Sequence, residues 1–395
     1  MKKILFVLLT LLSFPAFAEE VEKVSNFETL TKLPETYLNF KEKLHTQYGF
    51  DYRIRAGFMV QRAAPNGENT VFRDKYELEA NWDVFSSDKY GSGSIQFLYE
   101  DINYSHIEAS KLAPKVGVLA PMNDDASRRE YFKKLTYTHS FTGKLSGVSL
   151  SVGQFLIGNF AKTKYNSRPA SYFNNYSIQK NMTKAYPTGG VGGYITYSPL
   201  ANLTFVAGLQ KTTNYLPQNI SLKKIEDNKW TNFVYASYSP KITDLGKTTI
   251  TGLLYHSPKI KKYSGQFNKA FDKSSDGWLI TIKQDIKKWT GLLKINGSTG
   301  NRVSLDQNYS AQLLYNDPFN RNPFDQFGIA FALNKVSNLN KKAVRSWESL
   351  IEGYLNIGFG DFVTITPDIQ VYINPALTKK RNTVFVNSLQ VKFYF

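Results

Sequence analysis

Charged side chains two residues apart are the clearest chemical feature of this 395-residue chain. "YGFDYRIRAGFMV" places Asp51, Arg53 and Arg55 on one side of an extended segment, and "FRDKYELEANW" does the same for Lys75, Glu77 and Glu79. A period of two sends alternate side chains to opposite faces of a strand. Each charged row is therefore backed by an apolar one, here Phe50, Tyr52, Ile54, Ala56 and Phe58. "DFVTITPDIQVYIN" repeats the pattern late in the chain, with Thr364, Thr366, Asp368, Gln370, Tyr372 and Asn374 opposite Val363, Ile365, Pro367, Ile369, Val371 and Ile373. Rows of carboxylates, guanidiniums and amides suit two tasks, hydrogen bonding to hydroxyl groups and steering of ions.

Bond-making chemistry has less to draw on. The four histidines, His45, His106, His139 and His256, show no metal-ligand spacing, and no nucleophile elbow, phosphate-binding loop or zinc signature occurs. "GGVGG" opens onto no helix and reads as a closely packed strand. A barrel hydrolase is a distant alternative. It would need a Ser or Asp paired with a His at a rim or lipid-facing position, and His139 is its candidate. The expectation is a protein without catalytic residues, metal or cofactor.

Lys2 and Lys3 precede the apolar run "ILFVLLTLL", which leads through Ser13, Phe14 and Pro15 to "AFA" ending at Ala18. This pattern predicts a secretory signal peptide, residues 1-18. Pro15 stops the run well short of the roughly 20 apolar residues of a spanning helix. No later stretch approaches that length, which leaves an exported chain that is either soluble or a membrane β-barrel. Cysteine is absent, so no disulfide-stapled scaffold is possible.

Alternation between turn signals predicts strands at 50-62, 71-85, 92-104, 129-141, 148-156, 189-198, 202-213, 230-239, 246-256, 275-286, 289-297, 307-315, 324-335, 348-359, 362-374 and 381-395. Every second connection is short, as at "SDKYG", "TGKLSG", "PLA", Lys287 and Lys288, and Gly360 and Asp361. The others run longer, notably 105-128, 157-188, 214-229 and 257-274, and are expected outside the cell. Short turns on one side and long loops on the other describe an up-and-down outer-membrane barrel with its turns in the periplasm. Trp82, Trp230, Trp278, Trp289 and Trp347 fall at or near strand ends, where indoles gather at the two membrane interfaces.

These observations predict an all-β protein, a transmembrane up-and-down antiparallel β-barrel of about 16 strands, with its charged faces toward the lumen. At that size side chains no longer fill the interior, which leaves an aqueous channel. Residues 19-46 form a separate periplasmic segment, partly helical after Pro34, and residues 47-395 form the barrel. The terminal strand "VNSLQVKFYF" alternates Leu389, Val391, Phe393 and Phe395 with polar residues. It resembles the C-terminal signal that the bacterial barrel assembly machinery reads.

A narrower resemblance lies in "WESLIEGYLNIGFGDFVTITPDIQVYINP" and, upstream, "RNPFDQFGIA". Glu352, Tyr354, Thr366, Pro367, Asp368, Gln370, Asn374 and Pro375, with Arg321, Asp325, Gly328 and Ala330, are similar to the closing segment of the carbohydrate-selective porins, the OprB-type family. "SVGQF" and "TGGVGGYITYSP" match more loosely. The resemblance implies passive diffusion of sugars and other small hydrophilic solutes through a water-filled pore in the bacterial outer membrane; the sequence leaves monomer and trimer equally open. It puts Glu352, Tyr354, Asp368 and Gln370 beside Asp51, Arg53, Arg55, Lys75, Glu77 and Glu79 as pore-lining candidates. Tyr165, Tyr172, Phe173, Tyr176 and Tyr186, in the longest loop, are candidate stacking surfaces for sugar rings.

Charge supplies the main alternative. Removing Lys2 and Lys3 from 49 basic side chains leaves 47 against 32 acidic, a balance of +15. A basic lumen would favour anions or acidic sugars. Lysines in "KIKKY" and "NKKAVR" can instead meet lipopolysaccharide phosphates from the loops. No nucleic-acid partner is expected, since the basic residues are dispersed.

Overall fold

The structure is a computed structural model describing residues 32-64, 70-125, 127-160, 172-212, 220, 229-242, 246-259, 274-299, 304-338 and 340-395. The signal peptide and Tyr165 lie outside these residues.

Its strands are β1 (Phe50–Ala64), β2 (Thr70–Ser87), β3 (Gly91–Tyr104), β4 (Arg129–Ser140), β5 (Val148–Phe155), β6 (Gly190–Leu200), β7 (Leu203–Lys211), β8 (Trp230–Tyr238), β9 (Lys241–Ile242), β10 (Gly246–Ser257), β11 (Ser275–Ile286), β12 (Trp289–Ser298), β13 (Leu305–Asn316), β14 (Gln326–Val336), β15 (Trp347–Phe359), β16 (Val363–Ile373) and β17 (Thr383–Tyr394). All pair antiparallel with their sequence neighbours, and β9 is a two-residue piece beside β10, so sixteen strands make the wall. Each begins and ends within two residues of its expected bounds.

Closure is made by β1, which pairs with β2 on one side and β17 on the other. No edge is then left to present unpaired backbone groups to lipid. The last rung joins Ile54 and Phe395 through reciprocal N–H···O bonds of 2.9 and 2.8 Å, and the Phe395 ring lies 5.3 Å from that of Phe362. Deleting Phe395 is expected to lower the yield of heat-modifiable barrel while export continues. A normal yield on a gel of boiled and unboiled membranes would show this rung to be dispensable.

Leu389, Phe385, Val60 and Phe58 are exposed on the outer face, while Gln390 and Lys392 turn inward and are buried. Trp82 and Trp289 stand toward the short-turn end, and Trp230, Trp278 and Trp347 toward the long-loop end. Two girdles about an apolar band are the mark of a membrane barrel. His139 belongs to the outer aromatic surface, with its ring 4.6 Å from Phe141 and 5.8 Å from Phe85.

Both of the long connections expected outside the cell, 105-128 and 157-188, have described residues folded into the lumen, 105-125 and 172-188. The N-terminal helix is α1 (Glu35–Tyr48), and residues 105-125 carry α2 (Ala109–Val116). Its Leu112, Ala113 and Val116 join a buried cluster with Ala63, Val71, Ile102, Val384 and Val386 of the wall. The long-loop end of the lumen is therefore partly an apolar core rather than a polar face throughout. A cylinder of sixteen strands is too wide for its own side chains to fill, so loops supply the packing.

Candidate permeation site

Two chain segments cross the lumen, residues 105-125 and residues 172-189, and the nominated residues divide by how they meet them. The second segment carries a short helix, α3 (Tyr176–Gln179).

On the β1 to β4 side the wall is an ion-pair network. Register sets it up: Arg53 lies opposite Glu79, Arg55 opposite Glu77, and Glu77 opposite Glu100. Arg55 Nη2 bonds Glu79 Oε2 at 2.7 Å, and its Nε lies 3.9 Å from Glu77. Lys75 Nζ sits 3.0 Å from Glu100 and 3.1 Å from Asp125. Lys133 reaches Glu100 at 2.7 Å from a bulge in β4, and Arg129 spans Glu100 and Asp125 at 3.1 Å each. The charges are thus paired sideways along the wall and with the inserted segment, not set in rows facing across the pore.

Asp124 and Asp125 hold the first segment to that wall. Arg73 donates to Asp125 at 2.5 Å, and Asn123 Nδ2 donates to Gln61 Oε1 at 3.2 Å. Burial pushes the Asp124 carboxyl up, but the charges of Lys180, Lys75 and Arg73 outweigh it and hold it well below the usual carboxylate range. Lys180 belongs to the second segment and meets Asp124 at 3.2 Å, so the two segments are joined to each other.

The family-like residues of β15 and β16 anchor the segments from the other side. Glu352 accepts the backbone N–H of Asn174 and, at 3.1 Å, that of Asn175. Asn175 Nδ2 donates to Gln370 at 3.0 Å, and Gln370 Nε2 donates to the Met122 carbonyl at 2.9 Å. Asp368 receives Ser388 Oγ at 2.8 Å, and Ser388 in turn accepts from Asn174. Glu348, which sequence reasoning missed, accepts the N–H groups of Leu119, Ala120 and Ala376 at 2.8 to 3.0 Å. Its place four residues before Glu352, on the same inward face, was the signal available. Lys294 completes the frame from β12, donating to the carbonyls of Ser177, Ile178 and Lys180 at 2.6 to 3.0 Å.

Glu352, Tyr354, Asp368 and Gln370 are consequently on the inner wall but buried, Glu352 and Gln370 under loop backbone and Tyr354 under loop rings. Tyr354 lies flat across Gly328, where a Cβ would fall 2.4 Å from its ring, which accounts for a glycine there. The loop aromatics behave similarly. Phe173 and Tyr172 are buried with ring centres 4.7 and 5.7 Å from Tyr354, and Tyr186 is buried 4.8 Å from Tyr255. Tyr176, partly buried, packs against the same cluster. These rings pack the segments in place rather than line open space. Arg321 and Asp325 brace a short turn, bonded to each other at 2.9 Å and to the Gly358 backbone at 2.7 Å.

Open space lies beside the network at the short-turn end. A cavity of about 420 Å³ there is lined by Asp51, Arg53, Arg55, Glu77, Glu79 and Lys134, among others. Further in, a space of about 20 Å³, the size of a single water, is left between Arg73, Lys75, Asp124 and Lys392.

A closed sixteen-strand barrel, apolar outside, charged inside and narrowed by inserted loops, defines an outer-membrane porin. The chain belongs to the carbohydrate-selective porin, OprB family, whose model matches residues 107-395. Porin AaxA of Chlamydia pneumoniae is 30% identical over 321 residues, covering 80% of this chain and 70% of that protein. Porin AaxA of Chlamydia felis is 28% identical over 316 residues, with 79% and 69% covered. A structure of Pseudomonas putida OprB at high pH shares the fold with a TM-score of 0.73 at 14% identity, covering 91% of this chain and 97% of that one. Salmonella typhi OmpF aligns with a TM-score of 0.60 at 10% identity, covering 88% and 97%. The protein is thus a bacterial outer-membrane channel for the passive diffusion of sugars.

Proposed function

We propose that solutes cross along the β1 to β4 side of the lumen, over the part of the ion-paired wall formed by Arg55, Glu77 and Glu79 that the inserted segments leave open. The observation that carries this is the attachment of both segments to β15 and β16 through Glu348, Glu352 and Gln370, with the larger cavity left beside Arg55, Glu77 and Glu79. Lys75, Glu77, Glu79 and Arg55 offer donors and acceptors at close intervals, as a chain of sugar hydroxyls requires. Because each charge has a neighbour of opposite sign, the wall presents local dipoles to a neutral solute more than a uniform field to an ion. In this reading the short turns face the periplasm, the "NKKAVR" lysines meet lipopolysaccharide, and the barrel assembly machinery reads the terminal strand.

The test is single-channel conductance in a planar bilayer. Arg55→Ala leaves Glu79 without its partner and should weaken glucose block while shifting ion preference toward cations. Leu78→Ala, on the outer face between the two carboxylates, should change neither. An Arg55→Ala channel with unaltered block and reversal potential would place the solute path elsewhere in the lumen.

A further inference from the structure

The cavity at the short-turn end holds cations that the ion pairs leave over. Of the acidic groups facing it, Glu79 is bonded to Arg55, Glu77 lies 3.6 Å from Lys75 and 4.0 Å from Lys133, and Asp51 meets His45 at 3.0 Å. Arg53 and Lys134 line the same cavity, the first exposed and the second half-buried, and neither makes an ion pair or hydrogen bond among the described residues. Two buried polar atoms of the lining also have no hydrogen-bond partner, the donor Arg55 Nε and the acceptor Asn159 Oδ1.

We propose that this cavity is a subsite for sugar acids. The carboxylate lies between Arg53 and Lys134, and hydroxyls of the same molecule meet Arg55 Nε and Asn159 Oδ1. A guanidinium fork suits a carboxylate, and Arg53 of β1 and Lys134 of β4, which line the cavity from separate strands without an ion pair of their own, favour a full negative charge over a hydroxyl. The donor and acceptor deeper in the lining call for a group that both accepts and donates, as a hydroxyl does. A neutral sugar answers only the second demand and a simple carboxylate only the first. The volume of about 420 Å³ falls among small-molecule sites and admits one such solute with its water. The proposal rests on the porin reading and adds a preference within it.

Block of single-channel conductance by glucuronate, glucose and acetate, added from the short-turn side of the full-length protein, tests it. Glucuronate should block wild type at a concentration about tenfold lower than glucose, the effect of one charge-assisted contact. Acetate should block weakly. Arg53→Gln with Lys134→Gln should remove the glucuronate advantage, so that glucuronate and glucose block at similar concentrations, and Arg53→Lys with Lys134 intact should keep most of the advantage. Heat-modifiability of the double variant confirms its fold. Equal block by glucuronate and glucose in wild type would overturn the subsite and leave the sugar reading standing. Glucuronate block that survives the double change, or is matched by acetate, would also overturn it. Block by glucuronate with none by glucose would uphold the subsite and remove neutral sugars as solutes.

Discussion

Glu352→Ala is expected to widen the channel and abolish sugar block. The Glu352 carboxylate is fully buried and accepts backbone N–H groups from both Asn174 and Asn175. A buried N–H group left without its acceptor costs about 1 to 3 kcal/mol. Two of them shift the balance between docked and undocked segment by on the order of a hundredfold. Residues 172-189 would then leave the β15 side of the lumen, and the wall itself would stay closed because the backbone of residue 352, not its side chain, makes the pairing with Ala330 and Gln370. Conductance should rise and glucose should no longer block. Unchanged conductance in a heat-modifiable Glu352→Ala barrel would mean that the remaining anchors, Gln370, Ser388 and Lys294 among them, keep the segment seated. Glu352→Gln, which retains an acceptor, should fall between the two.

The second large effect concerns charge. Asp125 meets Arg73, Lys75 and Arg129 at 2.5 to 3.1 Å. In Asp125→Asn three cations lose a shared counter-charge where little water reaches them, and removing one partner of such a group typically costs about 3 to 5 kcal/mol. The first segment should loosen, the temperature at which the barrel loses its folded mobility should fall, and the reversal potential in a salt gradient should move toward anions. Asp51→Asn, at the exposed pair with His45, is the control and should leave both measurements near wild type. A cation shift in Asp125→Asn would contradict the pairing described for the network.

Most of the wall was legible because it obeys local rules. Alternation fixed the strands, and the pairing of Arg55 with Glu79 follows from two inward rows on adjacent strands. The nomination of Glu352, Asp368 and Gln370 rested on inward parity and family likeness, and parity is where the structure puts them. What alternation does not reveal is what covers an inward residue. Whether Glu352 meets water or backbone is decided by residues 174 and 175, far away in sequence and without strand pattern of their own. The apolar spacing of Leu112, Ala113 and Val116 was a sign that 105-125 had a surface to bury, since a loop in solvent needs none. Adjacent strands lie about 4.8 Å apart, so opposite charges on β1 and β2 find each other before they act across a pore.

The anchoring of residues 105-125 also constrains the order of events in biogenesis. Leu119 bonds Glu348, 229 positions later, and Met122 receives Gln370, 248 positions later. Contacts so remote in sequence form late, once the intervening chain is in place. The segment therefore lacks its Glu348 and Gln370 anchors until β15 and β16 have joined the sheet, and the contacts of Asp124 and Asp125 with β2 and β4 are an earlier seat. How firmly the bore is narrowed during that interval then depends on how quickly the last strands arrive.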